Sequence, residues 1–325
     1  MESLFPGLPD EIGLECLLRV ELNSHHKLKC VCKSWNAALK NPHFYQERKR
    51  LTISEQRICM LDHKGIVVYD LAEKSCRRLL PIPAQIGDSY HCHFAKQKLV
   101  LISDRSNCVW LYDFTCSKWR QGAEKPRWPI RCFASATDEH RGLIYVAGGK
   151  DNFANWVRSA SVCNVEEDKW NFLPDMNTYM EYCDGVFSDG KFYVYSGPRI
   201  EPTFEVFDSY TRSWKSVENR FNRVCFLSAF GRLYCLSVRQ LIEYDYSQDK
   251  FHIVGPHSME WWEPLLFAAE VGHNIFVGSM DYDSDQTFFT LTPPSETGGA
   301  FKRIGIEIPS GLRNSFFIRA ATLDL

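Results

Sequence analysis

The chain has 325 residues, with 38 Lys and Arg against 40 Asp and Glu, for a net charge of −2. That length suits one large domain and a small one, and the balanced charge gives no field to attract nucleic acid or an anionic membrane. No apolar run reaches the roughly eighteen residues of a membrane span, and the start, Met1 to Ile12, lacks the basic and apolar regions of a secretory signal. The 13 cysteines are therefore expected as reduced thiols in cytosol or nucleus.

The first predicted elements are helical. Leu8 and Pro9 precede Asp10 and Glu11, a composition that suits a helix start, because proline loses no needed N–H there and acids favour the positive end of the dipole. A short apolar stripe of Ile12, Cys16 and Leu17 follows. After a polar break containing His25 and His26, expected as a solvated turn, come Leu28, Val31, Cys32, Trp35 and Leu39 at the spacing of one α-helical face. Three short helices in about forty residues cannot bury a self-sufficient core, so surplus apolar side chains at this tip are expected to meet a partner.

From residue 51 onward the texture changes to short β-prone runs separated by turn residues. The clearest unit runs from Cys132 to Met176: a strand over 131–136, a turn at His140 to Gly142, a strand Leu143 to Ala147, and the doublet Gly148-Gly149. A loop, a strand over 158–165 and a short strand opening at Trp170 complete it. The same grammar recurs at 109–119, 204–214 and 241–251. The aromatic that closes each unit gives Trp119, Trp170, Trp214 and Phe251, with Leu79 and Phe301 as weaker equivalents, spaced by 40, 51, 44, 37 and 50 residues. Such spacing is that of propeller blades built from four-stranded sheets, six by this count. The N-terminal part supplies only three strands, near 57–61, 66–70 and 77–80. A lone strand-like run from Ser315 to Leu323 is expected to complete that first blade and remove two unpaired edges.

The first stretch, Leu8-Pro9, Ile12, Cys16-Leu17-Leu18 and Val31-Cys32-Lys33-x-Trp35, resembles an F-box, the helical module that docks on the Skp adaptor of a cullin–RING ubiquitin ligase. The Gly-Gly doublet, the aromatic-Asp pair before Trp and the Leu-Pro-Asp-Met after it resemble kelch repeats, although only Gly148-Gly149 is a full doublet. The whole chain is thus similar to the plant F-box/kelch-repeat family. The resemblance implies an α-helical F-box over 1–50 and an all-β kelch-type propeller over 51–325. It also implies a non-catalytic substrate receptor of an SCF-type ligase, whose protein targets in the family include metabolic enzymes and hormone-response regulators. Its Skp-binding residues would be Leu8, Pro9, Ile12, Cys16, Leu17, Leu18, Val31, Cys32 and Trp35. An F-box scaffold acting outside a ligase and a degenerate kelch-type oxidase are the alternatives.

Strand alternation places the loop between a blade's second and third strands on the same face as the link to the next blade. That face would carry Arg127, Trp128, Trp156, Tyr179, Tyr182, Arg199, Arg220, Phe221, Arg223, Trp261, Trp262 and Tyr282, aromatics and arginines of the kind enriched at binding hot spots. His91 and His93 would share one side of a strand, but two ligands do not make a tetrahedral metal site. Asp281, Asp283 and Asp285 lack the glycine and glutamate of a calcium loop. Neither cofactor nor metal is expected.

Overall fold

In the computed structural model the described residues are 3–51, 56–62, 65–70, 75–78, 81–87, 89–96, 98–114, 118–126, 131–196, 203–218, 225–236, 240–248, 250–256, 265–271, 273–280, 286–292, 302–305 and 319–324. Four helices come first: α1 (Asp10–Leu18), α2 (Leu22–Leu28), α3 (Lys33–Lys40) and α4 (Pro42–Arg50). The helical face expected over Leu28 to Leu39 is interrupted. Cys32 takes an extended conformation (φ −155°) and its sulfur accepts the Trp35 N–H, so it caps α3 instead of lying inside a longer helix. Nor are the histidines in a turn, since both lie in α2; His25 is buried, with Nε2 3.0 Å from the Val20 carbonyl oxygen.

The helices close over Leu17, Leu18, Leu39, Phe44 and Tyr45. Arg48 is fully buried among them and donates from one guanidinium nitrogen to the carbonyls of Leu18 and Val20. The Leu18 carbonyl ends α1 and that of Val20 lies just beyond, where orphan acceptors and the negative end of the dipole favour a cation.

The six expected blades are present, each a four-stranded antiparallel sheet. Blade 1 has β1 (Gln56–Asp62), β2 (Gly65–Asp70) and β3 (Ser75–Arg78). Blade 2 has β4 (Tyr90–Ala95), β5 (Lys98–Ser103), β6 (Val109–Asp113) and β7 (Lys118–Gln121). Blade 3 has β8 (Ala134–Asp138), β9 (Leu143–Ala147), β10 (Ala160–Asn164) and β11 (Lys169–Leu173). Blade 4 has β12 (Cys183–Ser188), β13 (Lys191–Ser196), β14 (Thr203–Asp208) and β15 (Ser213–Glu218). Blade 5 has β16 (Cys225–Ala229), β17 (Arg232–Leu236), β18 (Gln240–Asp245) and β19 (Lys250–Pro256). Blade 6 has β20 (Leu265–Val271), β21 (Asn274–Met280), β22 (Gln286–Thr292) and β23 (Lys302–Gly305). The last strand, β24 (Arg319–Asp324), pairs antiparallel with β1, Gln56 opposite Asp324 and Leu61 opposite Arg319. It is the innermost strand of blade 1 and lies between β20 and β4, so the ring of inner strands is continuous.

The recurring motif has a local cause. At the end of the third strand, Asn164, Asp208 and Asp245 each accept from two backbone N–H groups of the following turn: Glu166 and Glu167, Tyr210 and Thr211, Ser247 and Gln248. A short polar side chain that mimics the backbone is what such a turn selects. The repeat aromatics then lie on the outermost strand, Trp119 opposite Tyr112, Trp170 opposite Cys163, Trp214 opposite Phe207 and Phe251 opposite Tyr244. Two of them also stitch blades together: the Trp170 indole donates to the Ala123 carbonyl at 3.0 Å, and Trp214 to that of Pro174 at 2.8 Å. Leu79 and Phe301 lie outside the described residues.

Candidate docking surfaces

On the helical module the nine candidate positions separate by exposure. Ile12 (50% exposed) and Val31 (60%) stand out as large aliphatic side chains turned to solvent, with Pro9 and Cys16 also exposed and Leu8 half-buried. Leu17 and Leu18 do not belong with them. They are 1% and 5% exposed and form the core that supports α1, because they project from the side of the helix that packs on α4. Trp35 is half-buried. Its indole donates to the Leu4 carbonyl at 2.7 Å and its ring lies 4.8 Å from that of Phe5, pinning the N-terminal segment across α1. Gly13 permits that crossing, since a Cβ there would come within 2.9 Å of the Phe5 ring. Cys32 serves as the α3 cap. Of the nine candidates, Pro9, Ile12, Cys16 and Val31, with Leu8 in part, are therefore those left at the surface.

On the propeller, nine of the twelve candidate target-face residues, Arg127, Trp128, Arg199, Arg220, Phe221, Arg223, Trp261, Trp262 and Tyr282, lie outside the described residues, as do Asp281, Asp283 and Asp285. Trp156, Tyr179 and Tyr182 are described, and the fold brings them to one rim of blade 3. The Trp156 and Tyr182 rings meet edge to face with centroids 5.4 Å apart. The Lys150 ammonium sits 4.1 Å from the centre of the Trp156 ring and 5.8 Å from that of Tyr182. Arg158 lies over Tyr179 at 5.3 Å and donates to the Asn177 carbonyl. Tyr179 and Tyr182 remain largely exposed, and Phe153, at 78%, is more so.

Two loops make this rim, and each is held from below. Between β9 and β10, Gly148 and Gly149 both adopt left-handed conformations (φ +69° and +87°), which glycine takes without penalty because it has no Cβ. A Cβ on Gly148 would lie 3.0 Å from the Cys183 sulfur. Asp151 then closes the tip, accepting the Phe153 and Asn155 N–H groups at 2.8 Å each. Between β11 and β12, the fully buried Glu205 of β14 accepts from the N–H groups of Asn177 and Thr178, at 2.8 and 2.6 Å, and from the Thr178 hydroxyl. Met180 anchors the same segment in the core between blades 3 and 4. Tyr182 is left-handed (φ +49°), a conformation that a bulky residue keeps only where its surroundings hold it.

The link from blade 2 into blade 3 is secured by a buried polar chain. His91 and His93 face blade 3 and share one hydroxyl: Ser135 Oγ lies 2.7 Å from His91 Nδ1 and 2.9 Å from His93 Nε2, while His93 Nδ1 is 3.0 Å from Thr137 Oγ1. One hydroxyl carries a single proton and can donate to only one of the two rings, so the two tautomers are coupled. At the upper end, Asp104 lies 3.8 Å from His91 and accepts from the Cys132 N–H and the Ser89 hydroxyl. Burial works against its charge, but bonding to His91, helped by Cys132 and Ser89, holds the carboxyl below its ordinary range. Beside it Lys125, 3% exposed, donates to the Ser103 carbonyl at 2.7 Å. Burial pushes this ammonium down to about 8 against the upward pull of Asp104. Among the described residues no group of three His, Cys, Asp or Glu is placed to hold a metal.

Lys150, Arg158 and Glu205 did not figure among the candidates read from sequence. Glu205 carried a signal, an acid interrupting the apolar run Phe204-Glu205-Val206-Phe207. The two cations carried none, because what distinguishes them is the rings they meet.

Comparison with known proteins agrees with this architecture. The F-box domain family matches residues 5–47, and the Kelch motif family matches residues 131–177. Among Arabidopsis thaliana proteins, F-box/kelch-repeat protein At1g80440 is 30% identical over 250 residues, covering 67% of this chain and 70% of the relative. F-box/kelch-repeat protein At2g44130 is 30% identical over 271 residues, covering 67% and 66%. F-box/kelch-repeat protein At1g15670 is 28% identical over 283 residues, covering 74% and 79%. With a helical F-box leading directly into a six-bladed ring, the chain belongs to the F-box/kelch-repeat family.

Proposed function

We propose that this protein is the substrate-recognition subunit of an SCF-type ubiquitin ligase, its F-box docking on a Skp-family adaptor and its propeller holding a protein target for ubiquitination. The observation that carries this reading is the exposed aliphatic pair Ile12 and Val31 on a module too small to have other use for them. The protein's own contribution is proximity. A target held on the ring is presented to the charged ubiquitin-conjugating enzyme at raised effective concentration, with the bond-making chemistry supplied by the partners. Such a subunit works in cytosol or nucleus, where its thiols stay reduced.

The test is affinity purification of wild type beside an Ile12→Asp/Val31→Asp variant with the proteasome inhibited. Wild type should recover Skp and cullin, and the variant should lose both while retaining the target. If target turnover in cells continues unchanged with the variant, the protein is a scaffold working outside a ligase. If wild type itself recovers no Skp, the receptor reading fails.

A further inference from the structure

Lys150 and Arg158 of the blade 3 rim lie on aromatic rings that reach the surface, and neither has an acidic partner among the described residues. Arg120 is paired with Asp168 at 2.6 Å and Arg232 with Glu243, while Lys125, also over a ring, that of Phe133 at 4.5 Å, is buried and bonded to the Ser103 carbonyl. Lys150 and Arg158 instead lie on the rings of Trp156 and Tyr179, with no carboxylate in ion-pair range among the described residues. Asp151, next to Lys150 in sequence, is occupied: one oxygen accepts two backbone N–H groups and the other the Asn155 side-chain amide at 3.2 Å.

A ring beneath a cation restrains it and replaces part of its water on one side, leaving its other side able to take an anion. Restraining two long side chains before binding also removes much of the entropy cost of ordering them. Phe153, 78% exposed at the tip of the same loop, adds an apolar contact beside the charges.

We propose that the blade 3 rim binds an acidic, Asp/Glu-bearing segment of the target protein, one carboxylate on Lys150, one on Arg158, and an apolar side chain against Phe153. This deepens the receptor reading and rests on it. Carboxylates fit better than a phosphate here. The two cations sit on separate platforms, each suited to a single negative charge, whereas a phosphate dianion calls for converging donors. Glu181 and Asp184, both exposed nearby in sequence, would repel a dianion more strongly than a carboxylate.

The experiment selects peptides from a random twelve-residue display library on the purified full-length protein. It then measures fluorescein-labelled selected peptides against wild type and Lys150→Gln/Arg158→Gln. Wild type should enrich peptides with two or more Asp or Glu beside an apolar residue. Their affinity should fall at least tenfold in the double variant and weaken as NaCl is raised from about 50 to 500 mM. Enrichment of neutral or basic peptides would overturn the proposal, as would equal binding by the double variant. So would binding of a selected peptide that tightens more than tenfold when one phosphoserine replaces its Asp and Glu residues. Skp capture by the same preparations separates the two readings: intact Skp capture without acidic selection sinks this proposal alone, while loss of Skp capture by wild type sinks the receptor reading beneath it.

Discussion

The F-box at residues 5–47 and the kelch unit at 131–177 are of similar length, and they deal with apolar surface in opposite ways. Blade 3 is covered on both faces. Tyr145, Val162 and Leu173 join the core shared with blade 4, and Phe133, Ile144 and Val146 the core shared with blade 2. The helical module closes over a small apolar core of Leu17, Leu18, Leu39, Phe44 and Tyr45 and leaves Ile12 and Val31 in solvent. A repeat flanked by copies of itself needs no outside partner, whereas a lone module of that size keeps aliphatic surface to offer. What blade 3 exposes is of another kind: rings and cations on its loops.

The severest way to break this contrast is to open the ring. Deleting Arg319 to Leu325 would leave β1 without its inner neighbour and expose an unpaired edge, and soluble full-length protein should be lost, as measured by yield and size-exclusion profile. Next in size, Ile12→Asp/Val31→Asp should cut Skp capture by more than about a hundredfold, since a charge would be buried against an apolar partner, while leaving the melting temperature unchanged. Leu17→Ala is the converse. It empties a fully buried site and should cost about 2–5 kcal/mol within the module, seen as early loss of helical circular dichroism.

Smaller changes probe the seams between blades. In Gly185→Ala the new Cβ would lie 2.7 Å from the Phe192 ring and 3.3 Å from the Ala134 Cβ, so overpacking of about 1–3 kcal/mol is expected by chemical denaturation. Ser135→Ala removes the hydroxyl shared by two buried histidines and should cost about 1–3 kcal/mol.

The smallest effect is one of pH. Lys125 loses its proton near 8 when folded, against an ordinary value of 10.5, so above pH 8 the unfolded chain holds the extra proton and stability rises with pH. The slope approaches about 1.4 kcal/mol per unit. Buried thiols act in the other direction: Cys163 and Cys183 are pushed up to about 12 by burial, so their contribution is lost as pH rises above about 9. Denaturation at pH 7.5, 8.5 and 9 should show a shallow rise in wild type that is absent in Lys125→Met.

Much of the architecture was legible in the residues because its signals are local. Alternating apolar strands, an Asp or Asn that holds a turn, and an aromatic after it recur at blade spacing, and each works through residues within a few positions of itself. The helical module was legible as a pattern and less so in detail. The spacing of Leu28, Val31, Cys32, Trp35 and Leu39 fits one helix, but α2 ends at Leu28, Val31 lies in the turn that follows, and Cys32 caps α3.

What the sequence by itself determined is the order of helices before strands and the number of blades, since backbone preference and side-chain periodicity act over short range; of the helices it marked three where there are four. Tertiary structure alone decided which apolar residues of the F-box face outward. Leu17 and Ile12 are both aliphatic residues on α1, and only the packing of α4 separates them. It likewise decided that Lys150 and Arg158 stand on aromatic rings with no acid in range among the described residues, and that Glu205 supports a loop 27 and 28 residues away in the chain. Exposure and pairing are set by neighbours distant in sequence, and no spacing rule along the chain encodes them.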